Sequence, residues 1–160
     1  MDNHDLSQIV ETVIKNVTQS TSETKMTLAL ARRLAVRVEK KAAEIGVNAV
    51  VAVSDAGAHP IFVECMDDSY IASYDIAVGK AYTTVALKMP TSRLKELAKP
   101  GESLYGIQFT NDGQIVIFGG GVPLKAGGKI IGGLGVSGGS EEQDTYLAEY
   151  GESIFDELIK

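Results

Sequence analysis

Residues 49–66, AVVAVSDAGAHPIFVECM, constrain the fold more than any other stretch, because two apolar runs around a turn-rich centre describe a β-hairpin. Val50, Val51 and Val53 supply the β-branched residues of the first strand, and Ile61, Phe62 and Val63 form the second. Between them, Asp55 can hydrogen-bond the backbone two residues on, and Gly57 can take positive φ at no steric cost. The chain therefore reverses here and delivers His59 at the mouth of the second strand. Neither strand alternates cleanly between apolar and polar residues, which predicts a hairpin placed centrally in a sheet covered on both faces.

Helices are expected around it. Thr27 is a candidate N-cap for a helix running to Gly46, with Ala31, Leu34, Ala35, Val38, Ala42 and Ile45 as its inward stripe. After the hairpin, Asp68 or Ser69 would cap a long helix over residues 70–89. Ile71, Tyr74, Val78, Ala81 and Val85 would share its inner face, and Pro90 would end it. Thr91 or Ser92 opens a short helix over 93–98. The signals then change to short strands: 115–118 (IVIF), 119–124 (GGGVPL) and 129–137 (KIIGGLGVS), with the turn 125–128 between the last two. Ser140 followed by Gln143 is a capping box for a final helix carrying Tyr146, Leu147, Tyr150, Ile154, Phe155 and Leu158. The expected fold class is α+β, a single domain with a mainly antiparallel five-stranded sheet flanked by helices.

Ahead of this body, residues 5–17 place Leu6, Ile9, Val10, Val13, Ile14 and Val17 on one helical stripe, and 18–24 (TQSTSET) have the composition of a linker. The chain thus divides into an amphipathic helix with its polar linker, 1–25, and a body, 26–160. So short a helix is marginal alone, so its stripe needs a docking surface on this domain or on another molecule.

Composition narrows the function classes. At 160 residues the chain is long enough for one stable core. Its single cysteine, Cys65, cannot pair within the chain, residues 1–5 are acidic where a secretory signal would be basic, and no 18 apolar residues run together, so a reducing, cytoplasmic setting without membrane spans is expected. A formal net charge of −6 with no basic cluster argues against nucleic acid as a partner.

Few residues carry chemistry. Gly133-Leu134-Gly135-Val136-Ser137-Gly138 matches a dinucleotide fingerprint, but no returning strand follows, and Glu141 and Glu142 would repel a pyrophosphate. Gly128-Lys129-Ile130 is no Walker loop. The only histidines are His4 and His59, too few for a hydrolase constellation, and no Cys/His pair has zinc spacing. Asp67-Asp68 suits a helix cap. His59 on its turn remains either an iron ligand or a neutral turn histidine with no task.

Several ordered motifs point further: Val53-Ser54-Asp55-Ala56-Gly57-Ala58-His59, Met66-Asp67-Asp68-Ser69, Ala77-Val78-Gly79-Lys80-Ala81, Gly120-Gly121-Val122-Pro123-Leu124 and the glycine-rich 131–139. Over residues 26–159 the chain resembles the GlcG/HbpS-like haem-binding family, which includes the C-terminal domain of PduO-type corrinoid adenosyltransferases. The resemblance implies an antiparallel five-stranded sheet, assembly into homo-oligomers, and haem as the cofactor. His59 matches the histidine of the family's Asp-Ala-Gly-Gly-His motif and becomes the expected metal ligand, with Asp55 and Gly57 matching beside it; Ala58 stands where the family has a second glycine. Lys80 matches a family position where a cation could meet a haem propionate, although an exposed helix lysine would look the same in sequence. Cys65 and Met66 fit core packing better than ligation.

Residues 1–20 are similar to the encapsulation peptides that send enzymes into bacterial microcompartments, which makes a shell protein a candidate partner. The function expected is a haem-binding accessory protein, microcompartment-associated, in redox or cobalamin-linked metabolism. Its rivals are a cofactor-free oligomeric assembly module and, third, a haem-degrading enzyme, for which no catalytic residue stands out.

Overall fold

The computed structural model describes residues 7–11 and 25–160. Its body is α+β: α1 (Leu28–Glu44), β1 (Val50–Asp55), β2 (Pro60–Cys65), α2 (Ile71–Ala86), α3 (Thr91–Leu97), two 3-10 turns at Ile107–Phe109 and Asn111–Gly113, β3 (Gly121–Ala126), β4 (Lys129–Ser137) and α4 (Glu141–Leu158). The strands form one sheet in the order β2-β1-β4-β3, with every neighbouring pair antiparallel.

β1 is the hub, and its alternation divides the core. Ala49 just before it, Val51 and Val53 face the layer made by α1 and α4, where Leu34, Val38, Leu147 and Phe155 are buried. Val50 and Ala52 face Ala77 and Ala81 of α2 on the other side. Both helices of the first layer start as the sequence predicts. The Thr27 hydroxyl accepts from Leu30 N at 3.2 Å, and Ser140 with Gln143 forms the full capping box. Of the stripe expected for α1, all but half-buried Ile45 is buried, and Leu30 joins it.

Three expectations need correction. The sheet has four strands, because 115–118 does not enter the ladder. Val116 N donates to Thr83 Oγ1 at 3.0 Å, and a Cβ on Gly79 would come within 2.7 Å of Val116 Cγ2, so this apolar segment lies along α2 instead. The hairpin is not wholly central: β1 is buried, but β2 forms an edge and is half-buried at best. Finally, α2 is rotated from the expected face: Ala81 is buried and Val78 packs partly against the core as expected, but Ile71 and Tyr74 are exposed. It buries Ser73, Ala77, Gly79, Lys80, Ala81, Thr83 and Thr84, while Ile71 is 97% exposed. Neither Asp68 nor Ser69 caps it; its N-cap position is Tyr70, which makes no side-chain cap bond.

The cause of that rotation is a backbone-to-backbone contact. A Cβ on Gly135 of β4 would lie 2.0 Å from the Ala77 carbonyl oxygen, and one on Gly133 would lie 2.4 Å from that of Ala81. A helix seated so close to a strand needs small residues where the two main chains touch, here Ala77 and Ala81. Ile71 and Tyr74 are left exposed, whereas Val78 packs partly buried against the Val50–Ala52 side of the core.

The segment 7–11 is helical, with Ile9 and Val10 about half exposed. The remainder of the predicted helix over 5–17, and its linker, lie outside the described residues.

Replacing Gly135 by Ala forces α2 and β4 apart, since the clash is with main chain rather than with a movable side chain. The expected loss is on the order of 3 kcal/mol, read from the midpoint of urea unfolding; an unchanged midpoint would contradict the close seating of α2.

Candidate functional site

The β1–β2 turn is built around one carboxylate. Asp55 closes β1, and its Oδ1 accepts from Gly57 N at 2.8 Å and from His59 N at 2.9 Å, while Asp55 N donates to the His59 carbonyl oxygen. This is the side-chain mimicry of a backbone turn expected of Asp in such a position. The same Oδ1 lies 3.4 Å from Nδ1 of the His59 ring. Burial works against the carboxylate's charge, but the N–H groups of His59 and Gly57 and the nearby imidazole outweigh it, and the Asp55 pKa sits below the ordinary aspartate value.

The left-handed residue of this turn is Ala58, with φ 63°, and not Gly57. Gly57 instead leaves room for the ring. A Cβ there would lie 2.9 Å from His59 Nδ1 and 3.0 Å from Cε1, so its absence lets the imidazole fold back over the turn. Holding an alanine in the left-handed region costs about 1–2 kcal/mol, and the three bonds to Asp55 supply the restraint. The His59 side chain is 80% exposed.

Lys80 belongs to a different place. It is fully buried, where the sequence left open an exposed helix lysine, and its Nζ donates to the Val136 carbonyl oxygen at 2.7 Å and to Asp144 Oδ2 at 2.8 Å. The Phe118 ring covers it, with the centroid 4.9 Å away. Burial pushes the pKa of this ammonium down, against the pull of Asp144 and Glu141. The other oxygen of Asp144 accepts from Gly139 N at 2.9 Å, so both charges are matched. A group so enclosed ties α2, β4 and α4 together and is not presented to a ligand. Val136 pairs with Val51 and Gly132 with Asp55, which separates the lysine's anchor from the histidine turn by four strand residues, roughly 13 Å.

Asp55, Gly57 and His59 therefore converge, and Lys80 stands apart. Cys65 is exposed at the end of β2, and Met66 packs against the core, where its sulfur accepts from Ala49 N at 3.3 Å. Sequence reasoning missed Asp144. It reads as one more acid in the first turn of an acidic helix, and only the spacing Ser140-x-x-x-Asp144, which carries Asp144 past the cap and back toward Gly139, sets it apart from Glu141 and Glu142.

Two cavities adjoin at the opposite end of the sheet, sharing Tyr70, Gly138 and Gly139. One, of about 450 Å³, is edged by Asn48, Asp68 and Gln143; the other, of about 240 Å³, by Ile76, Phe118 and Asp144. Neither reaches His59.

The chain resembles known proteins throughout its body. The family described as "Haem degrading protein HbpS-like" matches residues 26–152. A 15.0 kDa protein from the dhaT-dhaS intergenic region of Citrobacter freundii is 47% identical over 133 residues, 83% of this chain and 94% of that protein. The corrinoid adenosyltransferase PduO of the same organism is 40% identical over 109 residues, 68% of this chain but only 32% of PduO. Among solved structures, a PduOC:heme complex superimposes with a TM-score of 0.78 at 35% identity, covering 81% of this chain and 94% of that one.

The buried pair makes an asymmetric prediction. Lys80→Met leaves Asp144 uncompensated and is expected to cost about 3–5 kcal/mol. Adding Asp144→Leu to it should restore most of that loss, as measured by thermal unfolding of the single and double variants. A single variant as stable as the parent would mean that the pair does not hold the layers together.

Proposed function

This chain belongs to the HbpS-like family, and on that premise we propose that it is a haem-binding accessory protein in redox or cobalamin-linked metabolism. The observation that carries the reading is the Asp55–Gly57–His59 turn, an exposed imidazole held by a carboxylate, in a chain 35% identical to a protein whose structure is a heme complex. Imidazole nitrogen is an established iron ligand. No cluster of three or more His, Cys, Asp or Glu among the described residues is arranged to hold a bare metal ion. The exposed imidazole of His59 is the group that would hold an iron-bearing cofactor here. Bound there, haem would supply a redox-active iron; this chain's part is to hold it through His59, with Asp55 and Gly57 ordering the turn.

Titration with haemin tests this. A saturable Soret shift in the parent, lost or altered in His59→Ala, is expected. A featureless titration of the parent would favour the cofactor-free assembly module instead.

The body self-associates in this reading, and residues 1–20 attach it to a microcompartment shell protein. No helix among the described residues is long and apolar enough to cross a membrane, and the half-exposed Ile9 and Val10 are available to a partner. Each aliphatic side chain of such a stripe contributes about 1.5–3 kcal/mol when fully buried, and several copies on one oligomer add avidity. Deleting residues 1–20 should leave fold, oligomer size by light scattering and haemin binding unchanged, yet abolish co-sedimentation with shells. If the deletion instead unfolds or dissociates the body, the segment is structural and the targeting idea fails.

A further inference from the structure

We infer that Asp55 and Gly57 are positioning residues that fix the tautomer of His59, holding the proton on Nδ1 and leaving Nε2 as the one ring nitrogen able to ligate a metal. The inference rests on the reading of His59 as the haem ligand, and it adds which atom ligates and what selects it.

Three features of the turn converge on this. Oδ1 of Asp55 is 3.4 Å from Nδ1, so that edge of the ring meets an acceptor-only carboxylate oxygen, which favours a donor N–H there. The carboxylate cannot swing away, because the same oxygen is held by the N–H groups of Gly57 and His59 at 2.8 and 2.9 Å. Gly57 lies against the same edge of the ring: a Cβ there would come within 2.9 Å of Nδ1 and 3.0 Å of Cε1, so a side chain at this position would displace the imidazole from Asp55. Nε2 lies on the side of the ring away from Asp55, on a side chain 80% exposed. A carboxylate behind a ligating histidine both orients the ring and raises its basicity, and removing such a partner typically weakens metal affinity about 10–100-fold.

The two substitutions separate charge from space. Asp55→Asn keeps an oxygen to accept the two backbone N–H groups but removes the negative charge. Gly57→Ala keeps the carboxylate and places a methyl group where the ring sits. The first readout needs no cofactor: nitrogen chemical shifts of 15N-labelled His59 in the cofactor-free protein, at a pH where the ring is neutral. The parent should show a protonated Nδ1 and a bare Nε2. Both variants should move toward the solvent mixture of tautomers, while amide-exchange protection of β1 and β2 stays as in the parent. In haemin titrations both should bind about 10–100-fold more weakly, with the Soret maximum of the loaded Asp55→Asn protein displaced from that of the parent.

A parent spectrum with the proton mainly on Nε2 would overturn the inference, even if His59→Ala abolished haemin binding. Tautomer populations that both variants leave unchanged would overturn it as well. A protonated Nδ1 that both variants release, in a parent protein indifferent to haemin, would uphold the tautomer assignment while removing the haem reading.

Discussion

The structure depends on how closely α2 lies against β4. Main chain meets main chain at Gly133 and Gly135, where even a methyl group would overlap the carbonyl oxygens of Ala81 and Ala77. This contact decides which face of α2 is buried, and it leaves the second half of the core with small residues alone: Val50 and Ala52 against Ala77 and Ala81. Such a layer hides little apolar surface, and by area alone it would be the weaker of the two. The opposite layer has Leu30, Leu34, Leu124, Leu134, Leu147 and Phe155.

A buried ion pair compensates on the thin side. Lys80 reaches from α2 past β4 to Asp144 on α4, with Val136 and Phe118 completing its surroundings. Burying charges is unfavourable unless they are paired and hydrogen-bonded; here the ammonium has two oxygen acceptors and the Phe118 ring, and each oxygen of Asp144 accepts one bond. The pair joins elements from the two faces of the sheet, something side chains of the thin apolar layer cannot do. Gly120 belongs to the same arrangement, because a Cβ there would lie 2.5 Å from the lysine nitrogen. The lysine's anchor on β4 and the histidine turn thus occupy opposite ends of the β1–β4 pair. One secures the layers and the other presents an imidazole to solvent.

The histidine turn is a local structure, and this explains why it could be read before any fold was known. Asp55, Gly57 and His59 lie within five residues, and the Asx-type bonds that order them depend on sequence neighbours alone. What the local argument misassigned was the division of labour: Ala58 takes the left-handed conformation and Gly57 supplies room for the ring. A turn residue's φ depends on where the strands leave it, and the β1–β2 register shifts between Val53 and Ser54, just before the turn.

The family resemblance, the hairpin, the helix starts at Thr27 and Ser140, the inward stripe of α1 and the antiparallel character of the sheet were legible in the chain alone. Each follows from short-range signals: caps three residues from their partners, apolar residues at helical or strand period, turn chemistry within five residues. Tertiary structure alone decided the rest. The rotation of α2 is set by glycines more than fifty residues away on β4, and periodicity favoured the wrong face because its outer residues are the larger and more apolar. Residues 115–118 have strand composition, yet they stay outside the ladder, where Val116 bonds Thr83 and lies against Gly79 of α2. Lys80 and Asp144, 64 residues apart, are unremarkable where they stand in the chain. They meet only when two helices from opposite faces converge on the end of β4, and it is that long-range convergence, rather than any local pattern, which turns a helix lysine into a buried one.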